Sequence, residues 1–430
     1  MDSMEPICTT TEDQDRLIET IKNKQDQVYA WLEGHEKKIL PPLYSSIDLR
    51  DAGFKMAVVD TNLFPAGFNN LCEHGLLDSV AFFRSAIFKR VPDCKKILIL
   101  AEEHTRNTWY LENVRILQQV IEQAGFDVKI ATFLTIQPAF CQDVNFIELM
   151  TATNHPVRIH CFKRILQMIE QGQEKIDLII MNNDLITGIP ENLRNSKIPI
   201  YPSIHAGWHS RLKSHHFNHT GELMEEFAKI IGQDPWIFST LYAVVDQVDI
   251  NRPEDRSRIQ DIATTLLKRI EEKYREHGIK EKPYLVIKAD AGTYGMGVST
   301  IENPKDLLEM NRKTRNKLYK GKSAKIIERY LIQEGIPTIH EVDQHPSEVC
   351  IYQIETNLIG GFYRTHPGKT DREILNSQGM EFKKMCPHLK KYGDCGVHHD
   401  LNIFDVYRIL ARIAAIATRL EINELEAKSS

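Results

Sequence analysis

Residues 284–298 read YLVIKADAGTYGMGV: an apolar strand that ends in Lys288, then a loop carrying Gly292, Tyr294, Gly295 and Gly297. Glycine accepts the backbone angles and close approach that let successive N–H groups close around a phosphate chain, so the segment points to nucleotide binding. Neither common nucleotide fingerprint fits. The loop has no Gly-Lys-Ser/Thr, and Gly292-x-x-Gly295-x-Gly297 reverses the dinucleotide spacing. A lysine placed ahead of the glycines implies a different cradle.

Working outward, Val298 to Ile301 reads as a second strand, and Asn303 and Pro304 suit the start of a helix running to about Leu318. Lys325 to Ile332 is a third apolar stretch, leading into Gln333-Glu334-Gly335. Strand, glycine loop, strand, helix, strand resembles the lid of ATP-grasp enzymes. In that layout the strand leaving the lid passes the adenine at Gln333, and Glu334 would supply a carboxylate to the ribose.

The whole chain is compatible with a large enzyme of two or three domains: 430 residues, with Lys plus Arg at 54 against Asp plus Glu at 59. The net charge of −5 gives no electrostatic footprint for nucleic acid. No segment approaches the roughly eighteen apolar residues of a membrane span, and MDSMEPICTTTEDQD has no apolar run of a secretory signal. A cytoplasmic protein is expected, with its eight scattered cysteines as reduced thiols.

Glu12 to about Leu40 carries Leu17, Ile18, Ile21, Val28 and Trp31 among charges, the pattern of an amphipathic helix packed on the body. From Phe54 to Ile200, apolar strands FKMAVVD, KILILAE, DVKIATFL and IDLIIMN alternate with the helical stretches LLDSVAFFRSAIFKRV, WYLENVRILQQVIEQAGF and VRIHCFKRILQMIEQ. That rhythm predicts a parallel sheet with helices on both faces and a ligand beyond the carboxyl ends of the strands. Those ends are polar: Asp60, Asn62, Asn69 and Asn70 after the first strand; Glu102, Glu103, His104, Arg106 and Asn107 after the second; Asn182, Asn183 and Asp184 after the last. An amino acid suits such a crevice, because Arg106 can fork onto a carboxylate while Asp60, Glu103 or Asp184 takes an ammonium. The same residue types also cap turns and helices, the plainer reading of each one alone.

The segment Ile204 to Phe217 is rich in histidine and base. Arg211 and Lys213 are candidates to meet phosphate or a substrate carboxylate at the domain junction. His205 and His209 have helical metal spacing without a neighbouring third ligand, and Cys386, His388, Cys395, His398 and His399 lack a usual zinc spacing. Further on, VCIYQI and LIGGFYR read as paired strands that end in Arg364 and a polar loop through Asn376. Arg364 and Asn376 there suit a transferring phosphoryl group, and Glu348, Glu355 and Glu373 are candidate oxygen ligands for Mg2+. FDVYRILARIAAIATRLEINELEA closes the chain as a long helix.

Taken together, several blocks resemble the proteobacterial glutamate-cysteine ligase family, colinearly from about Phe54 to the C-terminus. They are DTNLFPAGFNN at 60–70, EHTRN at 103–107, NNDL at 182–185, HAGW at 205–208, KADAGTYGMG at 288–297 and GGFYR at 360–364. The chain departs from the family pattern at Glu373-Ile374-Leu375-Asn376, where Glu-Asn-Leu-Asn is expected.

The resemblance implies an α/β chain in which a parallel-sheet, Rossmann-like pre-ATP-grasp domain precedes an ATP-grasp-type α+β catalytic domain. The expected division is an N-terminal helical segment at 1–50, an amino-acid substrate domain at 51–203, a junction at 204–282 and the nucleotide-binding domain at 283–430. It also implies ATP-dependent joining of L-glutamate and L-cysteine through a γ-glutamyl phosphate, the first step of glutathione synthesis. Lys288, Arg364 and Asn376 would then be catalytic. A ligase of the same lid type acting on another amino acid or peptide, and a non-catalytic ATP-binding regulator, are the alternatives.

Overall fold

The chain is organised by three sheets in the computed structural model, which describes residues 10–104, 106–133, 146–292, 297–319, 326–385 and 401–429. The N-terminal apolar stripe forms two helices, Glu12–Asn23 and Gln25–Glu36, broken at Lys24 rather than continuous. Thr11 starts the first with a reciprocal cap: its hydroxyl accepts from Gln14 N, and the Gln14 amide accepts from Thr11 N.

Strands β1 (Tyr44–Asp51) and β2 (Met56–Asn62) follow as an antiparallel pair. They lead into β3 (Lys96–Ala101), β4 (Asp127–Thr132), β5 (Phe146–Met150), β6 (Pro156–Cys161), β7 (Leu178–Asn182) and β8 (Ile200–Tyr201). These six make a sheet of order β5-β6-β4-β3-β7-β8, parallel throughout except for β5, which runs antiparallel to β6 at the edge. Helices Glu73–Arg90, Thr108–Gln123 and Phe162–Glu170 accompany it. VRIHC, expected as the start of a helix, is strand β6: Val157, Ile159 and Cys161 are buried in alternation, a period of two that precedes the helical period of the next residues.

A four-stranded antiparallel sheet of order β11-β10-β12-β9 uses β9 (Tyr242–Val245), β10 (Leu285–Ala289), β11 (Val298–Ile301) and β12 (Tyr330–Glu334). Helix Pro253–Glu276 packs Ile259, Ala263, Leu266 and Ile270 into the same core as Leu285 and Ile287. The junction segment therefore contributes a strand and a helix to this sheet. Between β11 and β12 a short 3₁₀ turn at Pro304–Leu307 and helix Arg312–Tyr319 replace the single helix expected there.

The third sheet completes β1 and β2 with strands from the other end of the chain: β13 (Glu341–Val342), β14 (His345–Ile354), β15 (Asn357–Thr365) and β16 (Glu381–Met385). Its order is β16-β15-β14-β1-β2, antiparallel at every pair, with β13 beside β14. FKMAVVD thus belongs to this sheet and not to the parallel one, and β1 lies within the segment expected to be helical. Along β1 the alternation is chemical. Ile47 and Leu49 pack with Val349, Ile351 and the C-terminal helix Ile403–Ser429, while Asp48 and Arg50 point to the other face. Helix Lys213–Ile231 lies against the C-terminal helix and ends at Gly232, whose φ of 70° closes it.

Cys94 and Cys350 are free thiols, whereas Cys161 is disulfide-bonded, against the expectation of reduced thiols throughout. Among the described residues no helix is long and apolar enough to cross a membrane. The cluster from Cys386 to His399 lies outside the described residues.

Candidate active site

Two cavities meet at a common wall. The first lies between the sheet of β10 and the sheet of β1 and β2, with Lys288, Gly292, Lys213 and Asp60 in its lining. The second lies between the sheet of β1 and the carboxyl ends of β3 and β7, lined there by Glu102, Asn182 and Asp184. Asp48, Asp60, Arg364 and Asn376 line both.

Lys288 is the penultimate residue of β10, buried except at the cavity, and its Nζ donates to the carbonyl of Val59 at 2.9 Å. Burial pushes its ammonium down and the charge of Lys213 adds to this, while Asp60, Asp290 and Asp48 oppose, leaving the group at about 7. Lys213, the first residue of its helix, puts Nζ 2.5 Å from Asp60 Oδ1 and 4.4 Å from the centre of the Trp208 ring. Burial raises the Asp60 carboxyl, but Lys213 and Lys288 outweigh it and hold the group at about 2. Just past Lys288, the fully buried Asp290 accepts from Ser214 N, Ser214 Oγ and Arg329 Nε at 2.6–2.8 Å, fastening the strand to the helix that carries Lys213. Gly292 opens the loop at φ 112°, a conformation that a side chain would strain.

Across the wall four buried charges alternate. Arg364 donates to Asp48 at 2.9 Å and to Glu348; Arg50 donates to Glu348 at 2.7 Å. Arg50 also donates to the carbonyls of Asp371 and Glu373 at 2.8 Å, pinning the loop that brings Ile374 and Asn376 to the cavity. The Arg364 Nε is buried without a hydrogen-bond partner, although Asp48 and Glu348 engage the rest of the guanidinium.

The expected magnesium ligands do not gather. Glu355 sits in the β14–β15 turn, where it pairs with Arg90 at 2.7 Å, and it lines neither cavity. Seven residues of extended strand separate it from Glu348, about 23 Å. Both Glu348 oxygens are engaged by arginines, and Glu373 is bonded to Lys369 and Thr370 N. Among the described residues no three acidic, histidine or cysteine side chains converge as a metal shell.

Other expected residues divide between site and scaffold. Asn62 and Asp184 line the second cavity, and Gln333 lines the first while donating to Thr240 Oγ1 at 2.7 Å. Glu334 also lines the first cavity, and its carboxylate accepts from Lys55 Nζ at 2.8 Å, from Trp236 Nε1 and from Leu241 N. Arg211, expected at a ligand, is buried and donates to Glu421 at 2.8 Å and to the Thr61 carbonyl at 2.7 Å. Asn107 caps helix Thr108–Gln123, Asn183 bonds the Ala101 carbonyl and Leu185 N, and Asn182 bonds Tyr44, Pro65 and Tyr110. Asn69 bonds Asn70, and Arg106 is exposed; neither lines a cavity. Gly297 closes against Ile327, and Tyr294 and Gly295 lie outside the described residues. Sequence reasoning missed Asp48 and Arg50, although the alternation in Ile47-Asp48-Leu49-Arg50 was a signal for a strand with one polar face.

A family model described as glutamate-cysteine ligase matches residues 19–422. Among solved structures, a provisionally assigned gamma-glutamylcysteine synthetase from Methylobacillus flagellatus KT superposes with a TM-score of 0.85 at 30% identity, over 98% of this chain and 100% of that one. D-alanyl-alanine synthetase A from Vibrio cholerae gives 0.33 at 11% identity over 74% and 81% of the two chains. A glutathione synthetase-like effector from Globodera pallida gives 0.36 at 10% over 86% and 88%. No curated protein matches. With nearly its whole length matched, the chain belongs to the glutamate-cysteine ligase family, ATP-dependent enzymes of glutathione biosynthesis.

Proposed function

We propose that the ligation of glutamate to cysteine takes place at the common wall of the two cavities, with ATP in the first under an ATP-grasp-type lid. The observation that carries this reading is Lys288, a lysine held at about 7 in the cavity beside Gly292 and one hydrogen bond from the strand that bears Asp60. A nucleotide phosphate would restore its charge, since an anion in contact favours the ammonium.

In the first step an oxygen of the glutamate γ-carboxylate attacks the γ-phosphorus, the bond to the bridging oxygen breaks, and ADP leaves with that electron pair. The cysteine amine then adds to the acyl carbon and inorganic phosphate departs, while the amine proton passes to solvent or base. Lys288, Lys213 and Arg364 are the cations positioned to stabilise charge as it moves between these oxygens. The carboxylates of the cavity do not assemble a magnesium shell by themselves, so no step is assigned to the metal.

Phosphate release from Mg-ATP, with no amino acid, glutamate, cysteine or both, tests the reading alongside mass spectrometry of the product. Release requiring both, with γ-glutamylcysteine formed, is expected. Release with a different amine or acid would move the site to another ligase reaction.

A further inference from the structure

We infer that Thr61, His216, Arg211 and Glu421 form a buried clamp that positions Asp60 and the Val59 carbonyl against Lys288, with Glu421 of the C-terminal helix as its anchor; this rests on the reading of the common wall as the place of ligation.

The ladder lapses where the wall depends on it. Asp48 of β1 pairs with Asp60 and Leu49 with Val58, so Val59 has no partner on β1. That extra residue gives its carbonyl to Lys288 Nζ at 2.9 Å. A bulge of this kind re-aims groups beside a site, and it leaves the strand less constrained by its neighbour. Asp60 follows at once and lines both cavities. Thr61 comes next, on the opposite face, and is 1% exposed.

Thr61 is gripped twice. Arg211 Nη1 donates to its carbonyl at 2.7 Å, and its hydroxyl meets His216 Nε2 at 2.8 Å. Glu421 joins the two grips: its Oε1 accepts from Arg211 Nε at 2.8 Å, while its Oε2 and His216 Nδ1 face each other at 3.3 Å, in contact though not aligned as a hydrogen bond. All four residues are at most 2% exposed and none lines either cavity, so they act on the wall only through what they hold.

The helix that carries His216 is fixed independently to β10. Lys213 N donates to the Asp290 carbonyl at 2.7 Å, and the Asp290 carboxylate accepts from Ser214 N and Ser214 Oγ at 2.7–2.8 Å. One turn of helix therefore holds β10 through Asp290 and β2 through His216. With the clamp slack, Lys213 stays beside Lys288 while Val59 and Asp60 are free to withdraw. Asp60, Asp290 and Asp48 sustain the Lys288 charge against burial and Lys213, so withdrawal leaves the ammonium with less support.

The test compares Thr61→Val, which removes the hydroxyl and keeps the shape, with Thr61→Ser, which keeps the hydroxyl and removes a methyl. In T61V, kcat for phosphate release with glutamate and cysteine should fall by roughly 10- to 10²-fold, the scale of a small misplacement, and in T61S it should stay within about twofold of wild type. A residue serving stability alone gives the reverse order, since T61S is the variant that loses packing. The Lys288 proton is read without substrate, from the pH dependence of its acylation by acetic anhydride followed by peptide mass spectrometry. The midpoint in T61V should lie below that of wild type, and E421Q should share the shift; the T61V and T61S pair decides alone if E421Q does not fold. A lowered midpoint in T61V upholds the clamp even if wild type formed no γ-glutamylcysteine. A midpoint equal to that of wild type in T61V, or a T61S as impaired as T61V, overturns it.

Discussion

Lys213 Nζ stands 2.5 Å from Asp60 Oδ1, one residue beyond the Val59 carbonyl that receives Lys288 Nζ at 2.9 Å. One carboxylate thus serves two ammonium groups in a buried setting, and the lysine without the direct ion pair is the one driven down to about 7. Nucleotide affinity of the enzyme without amino acids should weaken as pH rises through 7 and Lys288 loses its proton. The slope approaches tenfold per pH unit when only the charged form binds, roughly the limit set by one proton. Dissociation constants of an ATP analogue between pH 6 and 8.5 measure this, and K288R should flatten the profile.

Asp60→Asn removes an attraction that raises the Lys288 group, so the same limb should move to lower pH. The substitution also changes acid stability. A carboxyl held at about 2 when folded, below its ordinary value, contributes stability above that ordinary value and loses it as pH falls through 2. Denaturant titrations from pH 5 to 2 should show a shallower acid loss in D60N than in wild type.

Lys288→Met separates function from stability. The unfolded chain holds the Lys288 proton up to its ordinary value while the folded chain releases it near 7, so wild-type stability rises with pH across that window. Without this lysine the slope disappears and the ligand-free protein gains stability below pH 7, a rise in Tm of about 2–4 °C. Ligation should fall by roughly 10²–10³-fold in kcat, the range for losing one preorganised group at developing charge. Calorimetry and phosphate release report the two effects separately.

Glu348→Gln leaves two buried arginines short of a carboxylate. A loss on the order of 3 kcal/mol is expected in urea unfolding. The Mg2+ concentration for half-maximal activity of the remaining enzyme should stay where it is in wild type, since both Glu348 oxygens already serve arginine. A large upward shift would return Glu348 to the metal.

Glu355→Ala should leave kcat/KM and its Mg2+ dependence within about twofold, as expected of a change remote from the cavities. Its cost is structural: Arg90, whose side chain is fully buried, loses its ion pair. A lower Tm with normal turnover would fit this placement.

Strand β10 with Lys288 near its end, and the paired strands β14 and β15, were legible because each depends on local pattern, an apolar run bounded by polar or glycine residues. The partnership of β1 with β14 was not. Ser45, Ser46, Asp48, Arg50 and Asp51 hide β1 at the end of a segment expected to be helical, yet all are buried, because the strand sits in mid-sheet with one face on a polar cavity. Part of the expected ligand set is tied into the scaffold for a related reason. Arg211, Asn182 and Asn183 have the right chemistry for a substrate, but they donate to Glu421, Thr61, Tyr44, Pro65 and Ala101, and residue type alone does not reveal which polar groups the fold has already engaged. Glu348 lies in β14 and Glu355 in the turn that follows it, and the position of each along the chain, not its chemistry, decides which one reaches the wall.

The pairing of β1 with β14 also sets a schedule for making the protein. Arg50 and Glu348 are 298 residues apart in the chain, and the ion pair between them lines the first cavity. At about 5–20 residues per second, a ribosome exposes β1 and β2 for roughly 15–60 s before their partner is synthesised. During that interval the hairpin carries an open edge and two charges with no counterpart, a state that invites chaperone capture or misassociation. A nascent chain halted before β14 holds both the sheet of β10 and the parallel sheet, yet lacks the wall between the two cavities.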